Sequence, residues 1–428
     1  MSNKLHHGDC LEVMPTLDAD SVDAIISDPP YGLSFMGKAW DHGVPGEVFW
    51  REALRVAKPG AHLLAFGGTR TFHRLTVAIE DAGWEVRDCV MWVYGSGFPK
   101  SHDVSKAIDK AAGAKREPGN AGRYSARRPA NYVVTNIGEF TGTLGSSASA
   151  LVTAPATEAA KQWEGWGTAL KPAWEPIIVA RKPLIGTVAA NVLAHGTGGI
   201  NVDACRVGTD QTITIRNGDS GGNGAYGRDD RKFERVNPPG RWPANLIHDG
   251  SDEVTAGFPI TASGKLQSGH AQGGSNMFSN NGGKNLIDKN YGNDSGSAAR
   301  FFYCAKASKA DRDEGCEGME LRLPVDGADK WTEQDRRRGE GITRQLSRNN
   351  HPTVKPTALM RYLCKLVTPH NGIILDPFMG SGSTGKAATL ERCNFIGIDL
   401  SAEYVAIAQA RIDAATKQIT EQLQYGSS

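Results

Sequence analysis

The sequence predicts an α/β fold in which both ends of the chain contribute strands to one doubly wound sheet. At each end, short apolar stretches alternate with amphipathic stretches of helical spacing. Each end also has a strand that runs directly into a loop rich in proline or glycine, SDPPY at 27–31 and LDPFMGSGSTG at 375–385. Neither end has enough strands for a complete sheet, so we expect the two to fold together.

The N-terminal part is predicted to contain three strands and two helices. The apolar stretch VDAII is typical of a short buried strand. The first helix is expected to stop at the Lys58-Pro59-Gly60 turn and the second at Gly83, since proline and glycine end helices. The predicted strands cover 22–26, 61–66 and 86–94, and the predicted helices cover 48–57 and 71–82.

The C-terminal part repeats this alternation. A stretch rich in Ser and Thr, which are good helix-capping residues, opens the helix that follows the glycine-rich loop. The predicted helices cover 357–367, 383–392 and 402–417, and the predicted strands cover 372–376 and 395–399.

The middle of the chain has a different composition. Residues 208–300 contain 17 of the 51 glycines, with many Asn and Ser, and such a stretch buries little apolar surface. Three core-like stretches interrupt it and are predicted to be strands that return to the main sheet. We therefore divide the chain into residues 1–112, an insertion at 113–348 and residues 349–428, with core-returning strands near 172–182, 241–248 and 299–306.

Composition narrows the class of protein. A chain of 428 residues with 39% hydrophobic and 22% charged residues is typical of one large globular domain with an insertion, or of two domains. Seven scattered cysteines without CxxC or zinc spacing indicate reduced thiols and no metal site. No apolar stretch approaches the roughly 20 residues of a membrane span, and the N-terminus is too polar for a signal peptide. We therefore expect a cytoplasmic protein that does not contact a membrane.

The net charge of +1 does not by itself indicate nucleic-acid binding, but basic residues cluster in two places. Such clusters either neutralise phosphates or form solvated loops, and the sequence favours neither interpretation. One cluster contains Lys100, Lys106, Lys110, Lys115, Arg116, Arg123, Arg127 and Arg128, and the other contains Lys330, Arg336, Arg337, Arg338, Arg344 and Arg348.

The C-terminal loop is predicted to bind a nucleoside cofactor. It spells GxGxxG between a strand and a helix, and Asp399 follows Gly380 by 19 residues, as the ribose-binding acid of a dinucleotide site would. Asp376 and Phe378 depart from that pattern, because a carboxylate is unfavourable beside a pyrophosphate but balances an ammonium or sulfonium. S-adenosyl-L-methionine has a ribose, an ammonium and a sulfonium but no phosphate. NAD and a purely structural turn remain alternatives.

The N-terminal loop is predicted to hold a planar amine. Pro29 and Pro30 fix their φ angles and lack N–H donors, so the loop presents mainly acceptors, the Asp28 carboxylate and the Pro29 carbonyl. Two acceptors aimed at one point suit an NH2 group with its two hydrogens. Those hydrogen bonds favour a tetrahedral nitrogen whose lone pair is free for a methyl group, and Tyr31 can stack on the base. A proline turn without function is the alternative.

Together these residues resemble the amino-group DNA methyltransferases, the family with DPPY and FxGxG motifs, and their order resembles its beta class. The segment HPTVKPT at 351–357 is similar to a cofactor motif of the family, and Gly8-Asp9-Cys10 is similar to its adenine-contacting strand end. The resemblance implies a Rossmann-like mixed sheet, the S-adenosylmethionine-dependent methyltransferase fold, with a target-recognition region between the motifs. It implies catalysis by Asp28, Pro29, Pro30 and Tyr31, and cofactor binding by Asp9, Cys10, Asp28, Thr353, Lys355, Pro356, Asp376, Pro377, Phe378, Gly380, Ser381, Gly382, Asp399 and Leu400.

The resemblance also implies a substrate. Members with Asp at the first motif position mostly methylate adenine N6, so Asp28 favours adenine over cytosine N4; an RNA base or a protein amide is a further alternative. A base in duplex DNA must be flipped out to reach Tyr31, and Trp92, Tyr94 and Phe98 either line that pocket or belong to the core. We expect a homodimer and leave any restriction endonuclease partner unknown. The predicted phosphate contacts are Lys100, Lys106, Lys115, Arg116, Arg123, Arg127, Arg128, Arg336, Arg337 and Arg338.

Overall fold

The structure is a computed structural model of the chain. It describes residues 2–33, 43–97, 101–117, 153–208, 214–216, 234–236, 240–262, 295–306, 308, 310–321 and 347–425. Among these residues, no helix combines the length and apolar character needed to cross a membrane.

A nine-stranded mixed sheet forms the centre. Its strands are β1 (Asn3–His7), β2 (Val22–Ser27), β3 (Ala57–Phe66), β4 (Glu85–Val93), β5 (Trp174–Arg181), β8 (Leu246–His248), β11 (Tyr303–Cys304), β12 (Ile373–Asp376) and β13 (Asn394–Asp399). They lie in the order β1-β13-β12-β2-β3-β5-β4-β8-β11. Two separate two-stranded sheets pair β6 (Thr214–Arg216) with β7 (Glu234–Val236) and β9 (Ile260–Ala262) with β10 (Ser295–Ser297).

Eleven α-helices lie in the described residues. Numbered from the N-terminus, they are α1 (Cys10–Val13), α2 (Glu47–Val56), α3 (Phe72–Asp81), α4 (Val104–Ala111), α5 (Glu158–Gln162), α6 (Val188–His195), α7 (Asp252–Thr255), α8 (Ala310–Asp313), α9 (Thr357–Val367), α10 (Ser383–Leu390) and α11 (Ala402–Tyr425).

The sheet is buried on both faces, as a doubly wound fold requires. In β3, Leu64 and Phe66 pack into the cluster that contains residues of α9, α10 and α11, whereas Leu63 and Ala65 pack into the cluster that contains residues of α2 and α3. Side chains of a strand alternate between the two faces, so a nearly continuous apolar run fills both. The predicted fold class is confirmed.

The strands of the nine-stranded sheet run parallel to one another except β5, which is antiparallel to β3 and β4. The start of β5 therefore lies at the edge where the parallel strands end. The three core-like stretches of the insertion supply β5, β8 and β11, and all three pair within the main sheet. The division into two core halves and a target-recognition insertion remains a proposal.

The Lys58-Pro59-Gly60 segment is not the turn that the sequence predicted. It continues β3, which begins at Ala57, and the pairing register with β2 shifts across it. The Pro59 carbonyl accepts hydrogen bonds from Asn191 Nδ2 and Thr197 Oγ1, at 2.8 and 2.5 Å, so groups from the insertion occupy this irregular stretch. Such a bulge accommodates proline without a break in the strand.

We predict that His62 makes the fold acid-sensitive. Burial in β3, with Arg181 and Arg87 nearby, lowers its pKa from 6.5 to about 4. Between these values the unfolded chain binds a proton that the folded chain does not, so the free energy of unfolding should fall by about 3 kcal/mol as the pH decreases from 6.5 to 4. Thermal melts of wild type and His62→Leu across this range should show a shallower pH dependence in the variant. Equal slopes would contradict the prediction.

Candidate active site

The two motif loops meet at the carboxyl edge of the sheet. They follow β2 and β12, which are neighbouring parallel strands, and Ser27 Oγ donates a 2.6 Å hydrogen bond to Asp376 Oδ1 across the boundary. Ser27 and Asp376 are 349 positions apart in the sequence, and both are buried. The predicted acceptor and donor loops therefore lie side by side at this edge of the sheet.

Asp376 lies in a different environment from the one predicted. Its carboxyl group does not lie open to a ligand: it accepts hydrogen bonds from Ser27 Oγ, Phe378 N and Thr384 Oγ1, at 2.6, 3.1 and 2.6 Å. Burial raises its pKa to about 7, although these hydrogen bonds oppose the rise. Asp376 therefore holds both loops and the start of α10 together. Its charge depends on pH near neutrality.

Asp399 ends β13 and holds the glycine-rich loop. Its Oδ2 accepts from Gly380 N at 2.9 Å, and its Oδ1 accepts from Ser401 N at 2.8 Å. Burial raises its pKa despite these bonds and the nearby His7. The carboxylate thus stands at the end of the strand next to Asp376, where the sequence placed a ribose-binding acid.

Two predicted residues lie beside Asp399 at the end of β1. The Asp9 side chain caps α1 by accepting from Leu11 N at 2.8 Å. The Cys10 side chain is buried in the core, and this burial raises its pKa to about 12. Leu400 is exposed, and His7 Nε2 lies 3.1 Å from its carbonyl oxygen.

The glycine-rich loop packs tightly against α11. Gly382 has φ +75°, and a Cβ built there would lie 2.7 Å from Ala408 Cβ and 2.8 Å from Ala408 Cα. The buried Arg411 guanidinium donates through Nη1 to the Ser381 carbonyl at 2.6 Å and to the Ser383 hydroxyl at 3.2 Å. Arg411, which belongs to none of the sequence motifs, therefore fixes the shape of this loop from its position in α11.

Aromatic and imidazole rings surround the same loop. The Phe378 ring lies 5.8 Å from that of Phe49 and 6.1 Å from that of Trp50, with Pro377 beside it in the chain. A Cβ at Gly380 would lie 2.8 Å from His351 Nε2, so only glycine lets the His351 ring approach at this point. Burial lowers the pKa of His351 to about 4, and the ring is therefore neutral at physiological pH.

A compact charged cluster lies on the acceptor side. Tyr31 Oη lies 2.8 Å from Asp28 Oδ1 and 3.1 Å from Glu175 Oε2, so the two carboxylates share its one donor hydrogen. Lys355 Nζ lies 2.9 Å from Asp28 Oδ2, 3.1 Å from Glu175 Oε2 and 3.1 Å from Tyr31 Oη. These four side chains form the acceptor cluster. Burial, Asp28 and Glu175 all raise the pKa of Tyr31, so its hydroxyl is protonated.

Lys355, which the resemblance places among the cofactor contacts, has its ammonium beside the DPPY residues. Burial disfavours the charge, but Asp28 and Glu175 outweigh burial and raise the pKa of Lys355. The ammonium also lies 4.8 Å from the centre of the Phe66 ring. The neighbouring Pro356 occupies the N-cap position of α9, and the carbonyl of Thr353 contacts His351 Nδ1.

Glu175 lies in this cluster but belongs to none of the sequence motifs. It stands near the start of β5, the one antiparallel strand of the described sheet, and therefore reaches the edge where β2 ends. The predicted strand at 172–181 contained it, but sequence periodicity does not reveal the direction in which a strand runs. Burial and Glu175 also raise the pKa of Tyr94.

The aromatic residues predicted near the target pocket divide into two groups. Trp92 is a core residue, and its ring lies 5.0 Å from that of Tyr94. Tyr94 packs at the border of this core, and Glu175 contributes to its raised pKa. Phe98 lies outside the described residues.

The predicted phosphate contacts are only partly described. Arg116 is a correction: its guanidinium is mostly buried and binds Asp109 Oδ2 at 2.8 Å and Thr153 Oγ1 at 3.0 Å, so it joins α4 to the segment before α5. Lys106 is exposed, with its Nζ 3.9 Å from Asp103, and Lys115 lies just after α4. Outside the described residues lie Lys100, Arg123, Arg127, Arg128, Arg336, Arg337 and Arg338.

Comparison with known proteins links the C-terminal part to one family. Residues 278–410 match the family model described as DNA methylase. The chain is 39% identical over 74 residues to the DNA adenine methyltransferase YhdJ of Escherichia coli (strain K12), which is 17% of this chain and 25% of that protein. It is 45% identical over 64 residues to the type II methyltransferase M2.DpnII of Streptococcus pneumoniae, 15% of this chain and 24% of that protein. The resemblance to amino-group DNA methyltransferases is thereby confirmed, over about a quarter of the length of these relatives.

Similar solved structures align along nearly the whole chain. The M1.HpyAVI–SAM complex aligns with a TM-score of 0.35 and 16% identity, over 96% of this chain and 98% of that one. The cytosine-N4-specific PvuII DNA methyltransferase aligns with a TM-score of 0.40 and 11% identity, over 98% of this chain and 93% of that one.

Proposed function

We propose that this chain is a site-specific DNA methyltransferase that transfers a methyl group from S-adenosylmethionine to adenine N6 in double-stranded DNA. The observation that carries the proposal is the hydrogen bond between Ser27 and Asp376, which joins the DPPY loop to the glycine-rich loop at neighbouring strand ends. The match of residues 278–410 to the DNA methylase family supports it.

The donor side suits S-adenosylmethionine better than a dinucleotide. A dinucleotide site binds its pyrophosphate through backbone N–H groups of the glycine-rich loop and helix start, but Gly380 N already donates to Asp399 Oδ2 and Gly382 N to the Met379 carbonyl. We infer that Asp399 would hold the ribose hydroxyls, that Phe378 would pack on the nucleoside, and that the end of β12 would lie near the cationic groups. Bound there, the cofactor supplies an electrophilic methyl group.

The acceptor side suits an exocyclic amine. We infer that the Asp28 carboxylate and the Pro29 carbonyl accept the two amine hydrogens, which localises the nitrogen lone pair and orients it. Tyr31 is held in place by its hydroxyl and by Thr71 Oγ1, which donates to its carbonyl at 2.6 Å. A base reaches this loop only after it has left the duplex stack.

Adenine is the proposed base because Asp stands first in the DPPY motif. Cytosine N4 is the alternative, since the matched family model is named for both N6 and N4 transfer. An RNA base or a protein amide is a further alternative, because (D/N)PPY loops serve planar amines generally.

An assay with methyl-labelled S-adenosylmethionine tests the proposal. Duplex DNA, RNA and peptide mixtures should be offered separately, and the labelled DNA digested to nucleosides. We expect label in DNA alone, in N6-methyl-2′-deoxyadenosine. Label confined to N4-methylcytosine would show that the methylated base is cytosine and not adenine. Label in RNA or peptide alone would overturn the proposal.

Several accompanying features are proposals of the same kind. We propose that the region 113–348 selects the DNA sequence, that the protein acts in the cytoplasm, and that it forms a homodimer. Lys106 and Lys115 are the described basic residues that remain candidates for phosphate contact.

We predict that Asp376→Asn separates the structural role of this residue from its charge. The asparagine oxygen can accept from Ser27 and Phe378, and its NH2 can donate to Thr384, so the thermal stability at pH 8 should be retained or raised. If the charge balances a sulfonium, affinity for S-adenosylmethionine should fall about tenfold while affinity for the uncharged thioether S-adenosylhomocysteine changes little. Calorimetry with both ligands measures this difference. Equal losses of affinity for the two ligands would show that the Asp376 charge does not balance the sulfonium.

A further inference from the structure

The acceptor cluster contains two carboxylates but one ammonium. Lys355 lies within 2.9 Å of Asp28 and 3.1 Å of Glu175, and only 9% of its side chain is exposed. A buried ammonium must remain close to a carboxylate, because moving it away unpaired is strongly unfavourable. Lys355 can therefore exchange between Asp28 and Glu175 but cannot leave both.

Asp28 already has a donor on each oxygen. Tyr31 Oη donates to Oδ1 and Lys355 Nζ contacts Oδ2. Each of these oxygens can accept a further hydrogen bond, but in the proposed function a neutral amine competes poorly with an ammonium for the negative charge of Asp28. A carboxylate paired with a cation is also a weaker acceptor for the amine. Asp28 is therefore a stronger acceptor for the amine when Lys355 shifts toward Glu175.

From this competition we infer that Glu175 is a positioning residue for methyl transfer: it retains Lys355, and the hydroxyl of Tyr31, while Asp28 accepts the target amine. The inference rests on the proposed function and adds a residue to it. Lys355 already contacts Glu175, so the exchange requires only a small side-chain movement within the cluster.

Glu175 is well placed for this role because its backbone is fixed. It lies in β5 between β3 and β4, opposite Trp92, and the next residue, Pro176, accepts a 2.9 Å hydrogen bond from Gly67 N at the end of β3. Asp28 instead lies in a loop after β2. The fixed carboxylate can therefore hold the ammonium while the loop carboxylate engages the substrate.

A double-mutant cycle tests the inference. In Glu175→Gln, Lys355 retains only one charged partner, Asp28, and we expect kcat for methyl transfer to fall about 100-fold with the KM for S-adenosylmethionine changed by less than about threefold. In Lys355→Met we expect a fall of about tenfold. In the double variant Lys355→Met/Glu175→Gln the blocking ammonium is gone, so kcat should recover at least about tenfold from the Glu175→Gln value.

Glu85→Gln is the matched control. Glu85 also forms an ion pair with β5, with Arg181 at 2.6 Å, but at the opposite end of the strand. We expect its kcat to equal that of the wild type. Thermal melts of all variants check that each one is folded, and Glu175→Asp should retain more activity than Glu175→Gln.

The outcomes separate the two proposals. One outcome is that the wild type transfers methyl groups and that the losses of kcat in the two single variants multiply in the double variant. This outcome would overturn the role of Glu175 and leave the proposed function intact. Unchanged kcat in Glu175→Gln, or a loss confined to the KM for the cofactor, would do the same. A folded wild type that methylates no DNA, RNA or peptide would overturn the proposed function and the inference together.

Discussion

Asp28→Ala is expected to lower kcat for methyl transfer by about 10³-fold, the largest loss that we expect from any single substitution in the acceptor cluster. The alanine removes the carboxylate that we propose accepts an amine hydrogen, and it leaves Lys355 paired with Glu175 alone. Because the glycine-rich loop is untouched, the affinity for S-adenosylmethionine should change by less than about fivefold. Steady-state kinetics and calorimetry measure the two quantities.

Asp81→Ala is a suitable control for this experiment. Asp81 is exposed at the end of α3, a helix that starts beside the site and runs back along the sheet, so its carboxylate is remote from the acceptor cluster. We expect wild-type kinetics. If the Asp28→Ala protein methylates DNA as fast as the wild type, Asp28 takes no part in the reaction.

Gly382→Ala is expected to lower the free energy of unfolding by about 2 to 4 kcal/mol and to weaken cofactor binding strongly. Part of this loss arises from the positive φ of 75°, which alanine adopts with strain. The remainder arises from the clash of the new Cβ with the Cα and Cβ of Ala408, which α11 holds in place. Chemical denaturation and calorimetry measure the two effects.

Gly196→Ala isolates the backbone contribution to that loss. Gly196 has nearly the same φ, 76°, but no heavy atom lies within 4 Å of a Cβ built there. We expect a loss of only about 1 kcal/mol and unchanged cofactor affinity. If both alanine variants lost equal stability, the close packing between Gly382 and α11 would contribute nothing.

Most elements at the two ends of the chain were predictable because their signals are local. The strand before DPPY, the strand before the glycine-rich loop and the helix 357–367 all lie within a residue or two of their predicted positions. The final helix is longer than predicted and reaches Tyr425. Hydrophobic periodicity and motif spacing carry such information without knowledge of strand pairing.

The composition of the acceptor cluster was not predictable in the same way. Glu175 joins Asp28 only because β5 runs antiparallel between β3 and β4, and a single sequence does not encode strand direction locally. The motif containing Lys355 was recognised, but whether its side chain points to the donor or the acceptor loop depends on tertiary contacts.

Burial changes the predicted roles of two other charged residues. Asp376 was expected to balance an ammonium or sulfonium with its carboxylate, but burial raises its pKa to about 7 while three protein donors take its oxygens. Arg116 was grouped with phosphate contacts, but its guanidinium is paired with Asp109 and Thr153. A list of charged residues does not distinguish a solvent-exposed charge from one that is paired inside the protein.

Sequencing that detects methylated bases is the most direct test of the central claim that the two loops form one site for DNA methylation. DNA should be compared from cells expressing the wild type and from cells expressing Asp28→Ala. We predict N6-methyladenine within one short recurrent sequence for the wild type and none above background for the variant. Methylation of cytosine instead of adenine, no methylation by the wild type, or equal methylation by both proteins would contradict the claim.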